Sequence, residues 1–413
     1  MSNLLMISSD CHAGALPSIY NEYMSAKYRA AADEWWLSYT REMIARTGTF
    51  FDQEAVEAYA KEAGDAGRLE TALNPPGDLT DDALRAMLKD GSSAFAPRPC
   101  EWDAHVRLKE LEDDGVAGEV VFPQMAPFGA GLMQYRWPVS PDQNLEGIRA
   151  YNRWLADFCK TNPGRHAGVA LINVDDIDTT VQEIRNAKEL GLFGGVLLPG
   201  NTGDHPFYHH PRYEPLWAVC EELEMPLQSH SGWAPDYGDT PSATAMFISE
   251  VDMWAHRPFT ALMWSGAFER HPNLKYVLTE QGCSWILEWL RVLEFKAANP
   301  IFKYFTKDLS LTPTEYFQRQ CYLGASFLRP EEGGDRHKIG VDRLMYGTDY
   351  PHMEGTWPNT MDALRETFGS YPEHETRAIL GTNALAVYDF DLGQLGPIAE
   401  KIGPSLSDIT GAA

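Results

Sequence analysis

Short apolar runs and segments of helical spacing alternate along most of the chain. The apolar runs, bounded by glycine or polar residues, predict buried strands at 4–9, 118–123, 166–172, 194–199, 226–230, 274–280, 321–325 and 344–349. Helical patterns separate the strands from 118 onward, and two more, 359–368 and 373–380, follow the last strand. Apolar strands alternating with helices are typical of a parallel sheet covered by helices. Eight strands predict an α/β fold of the closed (β/α)8 class, a TIM barrel.

Two segments depart from this alternation. Residues 17–99 are rich in Ala, Glu, Trp and Tyr, with helical spacing at 28–46 and 52–63 and a helix start near 79–82. Because the barrel pattern resumes directly afterwards, we interpret 17–99 as a helical insertion after strand 1, serving as a lid or an oligomer contact, in one barrel domain spanning 1–413. The segment 390–413, rich in Gly, Pro, Ser and Ala, is expected to wrap the surface as a tail or to fray.

Composition narrows the classes of partner. The 413 residues carry 34 Lys and Arg against 59 Asp and Glu, a net charge of −25 that repels nucleic acids and anionic membranes. No apolar run approaches the ~18 residues of a membrane span. The six cysteines stand singly, without a CxxC pair, which favours reduced thiols. We therefore expect a cytoplasmic protein with a small-molecule substrate, assembled as a homodimer or higher homo-oligomer.

Candidate chemistry lies at the predicted strand ends. In a (β/α)8 barrel the carboxyl ends of the strands carry the reactive groups. The first strand ends in Asp10 and His12, the fifth in His230, the sixth in Glu280, and the eighth in Asp349 with His352 close behind. No GxGxxG sequence follows the first strand and no Walker A sequence is present, so nothing indicates a nucleotide site.

The spacing of Asp10 and His12 predicts a metal site. Alternate residues of a strand point to the same face, so both side chains enter the barrel mouth and chelate one ion. His230 and Asp349 approach from other strands and complete a set of two imidazoles and two carboxylates. This set suits one divalent transition metal, with zinc preferred and manganese or iron as alternatives, better than calcium or magnesium.

These motifs, in this order, resemble the amidohydrolase superfamily. The likeness rests on D-x-H at strand 1, a histidine after strand 5 and G-T-D-Y-P-H at 347–352, and it covers roughly residues 6–388. It is closest to the branch of aminocarboxymuconate semialdehyde decarboxylase and the γ-resorcylate type decarboxylases. The resemblance implies metal ligation by Asp10, His12, His230 and Asp349. Since the strand 4 end lacks the lysine that bridges two metals in some relatives, it also implies a single metal.

The chain departs from the family pattern at strand 6. The family usually places an acid/base histidine there, whereas this chain has Glu280. A glutamate can serve as acid or base when burial raises its pKa. Asp349 is expected to accept the proton of an attacking water, and His352 to contact the substrate or orient Asp349.

Three functions fit these residues. The first is a metal-dependent hydrolase that uses activated water on an amide, ester or C–C bond. The alternative is a non-oxidative decarboxylase of an aromatic or unsaturated carboxylic acid. The third is a non-catalytic binding protein stabilised by the ion. The ligands are common to the first two, so the motifs alone do not separate them.

Overall fold

The computed structural model describes residues 2–50, 54, 58, 80–90, 97–130, 139–238 and 240–411. Apart from residues 54 and 58, the helix predicted at 52–63 lies outside the described residues. Among the described residues, no helix is both long enough and apolar enough to cross a bilayer.

Parallel strands form the centre of the molecule. They are β1 (Ile7–Ala13), β2 (Gly118–Pro123), β3 (His166–Gly168), β4 (Ala170–Leu171), β5 (Val196–Leu197), β6 (Leu227–His230), β7 (Tyr276–Thr279), β8 (Cys321–Ser326) and β9 (Leu344–Gly347). Each pairs in parallel with its neighbour, in two ladders, β1 to β3 and β4 to β9. Together they confirm the predicted eight-position barrel.

The third predicted strand is divided in two. The Val169 amide still donates to β2, at the Val121 carbonyl, over 2.9 Å. The next amide, of Ala170, donates instead to the carbonyl of Gly195, just before β5, over 2.9 Å. Strands β3 and β4 therefore occupy one barrel position. The division arises because consecutive residues bond to the neighbours on opposite sides.

The barrel closes between its first and last strands. Asp349 donates its amide to the Asp10 carbonyl at 2.9 Å, and His12 donates to the Tyr350 carbonyl at 2.7 Å. Strand β1 extends to Ala13, beyond the predicted limit at residue 9, because residues 11–13 also pair with residues 121–123 of β2, partners that local sequence does not reveal. The backbone hydrogen bonds that close the barrel join residues of the predicted site. Closure of the barrel therefore sets the distances between those residues.

Helices surround the barrel and build the insertion. They are α1 (Pro17–Tyr23), α2 (Ala26–Phe50), α3 (Asp81–Asp90), α4 (Pro99–Trp102), α5 (Ala104–Asp113), α6 (Pro141–Lys160), α7 (Ile177–Leu190), α8 (Glu214–Glu222), α9 (Pro241–Trp264), α10 (Ala267–Arg270), α11 (Trp285–Ala298), α12 (Lys303–Thr306), α13 (Pro313–Gln320), α14 (Pro330–Gly333), α15 (Arg336–Ile339), α16 (Thr360–Phe368), α17 (Glu373–Arg377), α18 (Asn383–Val387), α19 (Leu392–Ile402) and α20 (Leu406–Thr410). Within the insertion, the buried Tyr20 hydroxyl donates to the Met125 carbonyl at 2.7 Å. This bond ties α1 to the loop after β2.

The C-terminal segment is more ordered than a fraying tail. Helices α19 and α20 bury Leu395, Ala399 and Ile409. The Leu4 amide donates to the Pro404 carbonyl at 2.8 Å. Over residues 390–411, the part of this segment that the structure describes, an apolar stripe packs against the barrel, with Leu395 beside Gly118 of β2.

Candidate active site

The predicted site residues converge at the carboxyl ends of the strands. Potential ligand atoms, all within 4.8 Å of one another, form two overlapping groups among the described residues, namely Asp10, His12, His230 and Glu280, and His12, Glu280, Asp349 and His352. The structure thus brings together every residue that sequence analysis placed in the site. It does so because each follows or ends a strand of the same barrel.

Local backbone features aim these side chains. The pairing of β1 with β2 shifts register between Ser8 and Cys11, and such a bulge re-aims the adjacent side chain, here Asp10. A Cβ at Gly347 would lie 2.8 Å from the Asp10 Cβ, so only glycine leaves room for that carboxylate. Glu280 and Asp349 both adopt the left-handed backbone region, with φ of 54° and 56°. This sparsely populated conformation, when it occurs in residues other than glycine, clusters at functional sites.

The side chains form a tight cluster of nitrogens and oxygens. His12 Nε2 lies 3.4 Å from both Asp10 Oδ1 and Asp349 Oδ1. His230 Nε2 lies 3.3 Å from Asp10 Oδ1 and 3.0 Å from Glu280 Oε2. Two imidazole nitrogens therefore face three carboxylates across one small volume.

Hydrogen bonds at the far side of each ring fix its orientation. His12 Nδ1 lies 3.3 Å from the Pro123 carbonyl, and His230 Nδ1 lies 2.8 Å from the Ser231 carbonyl. A carbonyl accepts only, so each Nδ1 carries the proton and donates it. In the neutral rings, Nε2 then presents a lone pair to the cluster, which is the usual arrangement of a metal-binding histidine.

The electrostatics favour ionised aspartates. Burial opposes the charge of Asp10, but the protonated forms of His230 and His12, whose own pKa values are raised in this cluster, outweigh it and hold the pKa of Asp10 well below its usual range. Burial also opposes ionisation of Asp349, yet His352 and His12 lower its pKa. The pKa of Glu280 shifts the other way, because burial and the charges of Asp349 and Asp10 raise it well above its usual value despite His230.

Unpartnered buried atoms show that these residues fit a cation. His12 Nε2 and Asp349 Oδ2 are buried without a hydrogen-bond partner. Such groups cost free energy unless a donor, a water or an ion satisfies them. A lone pair beside two ionised carboxylates calls for positive charge, so the donor set fits a divalent transition metal.

Exposure divides the six residues into two sets. The side chains of Asp10, His12, His230 and Asp349 are at most 1% exposed. Those of Glu280 and His352 are 16% and 22% exposed. The four buried groups lie at the base of the site, and the other two reach towards its open side.

His352 joins Asp349 to a residue that sequence analysis did not identify. Its Nδ1 lies 2.8 Å from Asp349 Oδ1, and its Nε2 lies 2.7 Å from Gln124 Oε1. The ring also stacks on His12 at a centroid distance of 4.0 Å. Both roles predicted for His352, contact with the substrate and orientation of Asp349, stay predictions.

Other supporting residues were also missed. The Ser326 hydroxyl donates to Asp10 Oδ2 from the end of β8. Beneath the site, Arg107 Nη1 donates to the His12 carbonyl at 2.9 Å, while its other nitrogens bind both oxygens of the buried Glu119 at 2.7 Å. The position of Ser326 at a strand end was a usable signal. Glu119 was another, since a carboxylate within a buried apolar strand requires a counter-charge.

Comparison with known proteins identifies the family. The model of the amidohydrolase family matches residues 102–390, well over half of the chain. The chain belongs to this family. The match begins at Trp102, after the insertion, and extends through the last barrel strand into the following helices. It confirms the sequence-based resemblance and the (β/α)8 fold.

Curated relatives share a decarboxylase name. The chain is 30% identical over 279 residues to a γ-resorcylate decarboxylase of Rhodococcus jostii, covering 60% of this chain and 78% of that protein. It is 28% identical over 237 residues to the γ-resorcylate decarboxylase of Rhizobium radiobacter, covering 51% and 68%. The similarity to these relatives supports an enzymatic function for this chain and favours the decarboxylase alternative over hydrolysis.

Solved structures show the same fold at lower identity. An amidohydrolase from Mycobacterium avium superposes with a TM-score of 0.64 at 17% identity, covering 93% of this chain and 99% of that one. A 5-carboxyvanillate decarboxylase from Sphingomonas paucimobilis gives 0.61 at 18%, covering 94% and 100%. A dihydroxybenzoic acid decarboxylase from Polaromonas, solved with manganese and 2-nitroresorcinol, gives 0.59 at 19%, covering 94% and 98%.

Proposed function

We propose that this protein is a metal-dependent, non-oxidative decarboxylase of hydroxylated aromatic acids. The observation that carries the proposal is the position of Glu280, a carboxyl group at the open side of a buried cluster of two imidazoles and two carboxylates. The γ-resorcylate decarboxylases among its relatives support the reaction class. Hydrolysis, our first expectation, has no comparable support.

The four buried side chains would hold the metal. Asp10, His12, His230 and Asp349 supply two nitrogen and two oxygen donors, and together they are nearly inaccessible to solvent. A bound divalent ion would supply a positive charge that binds and orients the oxygens of the substrate. The manganese of the Polaromonas decarboxylase makes manganese as strong a candidate as zinc.

Glu280 would transfer the proton. Its carboxyl reaches to within 3.0 Å of His230 and remains partly open to the mouth, where a substrate enters. Loss of CO₂ from an aromatic acid requires a proton on the ring carbon that bears the carboxylate. The Glu280 carboxyl donates this proton, the bond from that carbon to the carboxylate then breaks, and its electron pair returns to the ring. Glu280 is left ionised and regains its proton from water.

His352 would keep the neighbouring ligand in place. Because Gln124 accepts from Nε2, the ring is fixed with Nδ1 towards Asp349. This bridge restricts Asp349 to the rotamer that faces the cluster. In the decarboxylase, Asp349 therefore acts as a ligand and not as the base for water that the hydrolase interpretation required.

The test compares substrates and one variant. The protein, loaded with manganese or zinc, is incubated in D₂O with 2,6-dihydroxybenzoate, other hydroxybenzoates, aryl amides and lactones. We expect CO₂ and a phenol carrying one deuterium at the former carboxyl position. Glu280→Gln keeps the shape but cannot transfer a proton, so kcat is expected to fall by about 10²–10⁴-fold. Turnover of amides or lactones without CO₂ release would refute the proposal.

A further inference from the structure

The turn that follows β7 sets the position of Glu280. We call residues 280–283 the 280–283 turn; it leads from β7 towards α11. Its first residue, Glu280, is left-handed with a φ of 54°, and Gly282 is left-handed with a φ of 64°. In a residue other than glycine this conformation is costly, and it persists only where surrounding contacts enforce it. The contacts of the turn therefore decide where the Glu280 carboxyl lies.

The neighbouring strands hold the first half of the turn. The Glu280 amide donates to the Gly324 carbonyl of β8 at 3.2 Å. The Gln281 side chain donates to the carbonyl and the hydroxyl of Ser229 on β6, at 3.1 and 3.0 Å. Since β6 and β8 flank β7 in the ladder, the barrel itself fixes this half of the turn.

A residue from the next loop of the barrel holds the second half. Glu332 lies on the short helix α14, after β8, and its Oε1 accepts the Cys283 amide at 2.8 Å. The Cys283 thiol also donates to the backbone carbonyl of Glu332, at a distance of 3.8 Å. Cys283 is fully buried, so no solvent replaces these two bonds. Glu332 thus joins the 280–283 turn to the loop after β8.

The fit between Glu332 and the turn is close. A Cβ at Gly282 would lie 2.8 Å from Glu332 Oε1, so the absence of a side chain there leaves room for the carboxylate. From the side of α11, the Trp285 indole donates to the Gly282 carbonyl at 3.3 Å. The left-handed turn is therefore enclosed from two sides as well as from the sheet.

We propose that Glu332 is a positioning residue for Glu280. The inference rests on the proposed function, in which the Glu280 carboxyl donates a proton to the substrate. Without the Glu332 carboxylate, the Cys283 amide loses its acceptor, and the backbone of Glu280 is free to leave the left-handed region. The Glu280 carboxyl then moves away from the reacting carbon. A misplacement of about 1 Å can cost about 100-fold in rate.

Kinetics of matched variants test the role of Glu332. Glu332→Ala, Glu332→Gln and the control Glu331→Ala, at the exposed preceding residue of α14, are loaded with manganese and assayed with 2,6-dihydroxybenzoate. We expect Glu332→Ala to lower kcat by about 100-fold, with KM and metal content unchanged. Glu332→Gln still offers an oxygen to the Cys283 amide and should recover most of kcat. An equal loss in Glu331→Ala, no recovery in Glu332→Gln, or loss of metal in Glu332→Ala would overturn the inference.

Hydrogen exchange provides a readout that is independent of the reaction. In Glu332→Ala, the peptide covering 280–285 should exchange about 2- to 10-fold faster than in the wild type, the effect of one lost hydrogen bond. Glu332→Gln and Glu331→Ala should exchange like the wild type. Unchanged exchange in Glu332→Ala would overturn the inference. A wild type that shows this exchange pattern but releases no CO₂ would instead refute the proposed function, and the effect of Glu332 on the turn would stand.

Discussion

The substitution Arg107→Lys tests how the site is supported from below. Arg107 binds both oxygens of Glu119 at 2.7 Å and the carbonyl of His12 at 2.9 Å. A lysine keeps the positive charge but lacks the planar fork that makes these contacts together. We expect the ammonium to stay with Glu119 and the His12 carbonyl to lose its donor.

The structure sets the size of the effect. Arg107 and Glu119 are both fully buried, and removing one member of such a pair typically costs about 3–5 kcal/mol. Because lysine retains the charge, we expect a smaller loss in the free energy of unfolding, about 2–4 kcal/mol, from the missing hydrogen bonds. Substitution of a residue that orients a metal ligand typically lowers metal affinity by about 10–100-fold, and we expect a loss in that range for Arg107→Lys.

A second buried arginine provides the matched control. Arg165 is 6% exposed and donates to the carbonyls of Ala117 and Val116 at 2.9 and 3.0 Å, without contacting a ligand residue. Arg165→Lys should lower the melting temperature without weakening metal binding. Both variants are titrated with manganese against a chelating indicator, and their unfolding is followed by circular dichroism. Equal metal affinity in wild type and Arg107→Lys, or equal weakening in both variants, would refute the argument.

Three other predictions follow from single contacts. Asp349→Asn should remain folded and keep part of the metal but lose most turnover, which kinetics with measured metal content will check; near-normal turnover at full occupancy would contradict its role. Ser326→Ala removes the hydroxyl that binds Asp10 and should weaken metal binding by about 10-fold, again by titration. Burial raises the pKa of Asp114 to about 7, although the Thr360 hydroxyl lowers it, so the wild type should lose stability as the pH rises from about 4 to 7. The shift in pKa corresponds to at most about 4 kcal/mol in the free energy of unfolding. Asp114→Asn should therefore have a higher melting temperature than the wild type at pH 8, and the difference should vanish near pH 4. A difference in melting temperature that does not depend on pH would exclude the ionisation of Asp114 as its cause.

The parts of the fold that depend on local patterns could be predicted from the sequence. The apolar strands predicted the barrel, and the two-residue spacing of Asp10 and His12 predicted their common direction. The full length of β1 could not be predicted, because residues 11–13 pair with residues 121–123 of β2 and Cys11 also bridges to Tyr350, all far away in sequence. The division at Val169 is likewise a consequence of tertiary pairing.

The supporting contacts of the site were harder to infer. An arginine within a helix such as α5 is usually solvent-exposed, and only the folded barrel shows that Arg107 points inward to Glu119. Gln124 lies in a loop whose pattern gives no sign of its bond to His352. The types of ligand residue also do not determine the metal or the reaction class, since the same nitrogen and oxygen donors bind several ions.

Elemental analysis of the wild type and of Glu280→Gln after reconstitution distinguishes the metal ligands from the proton donor. We expect about one divalent transition metal per chain in both proteins, because the four buried side chains suffice as ligands and Glu280 transfers the proton. Wild-type protein without metal, or loss of the metal in Glu280→Gln, would contradict it.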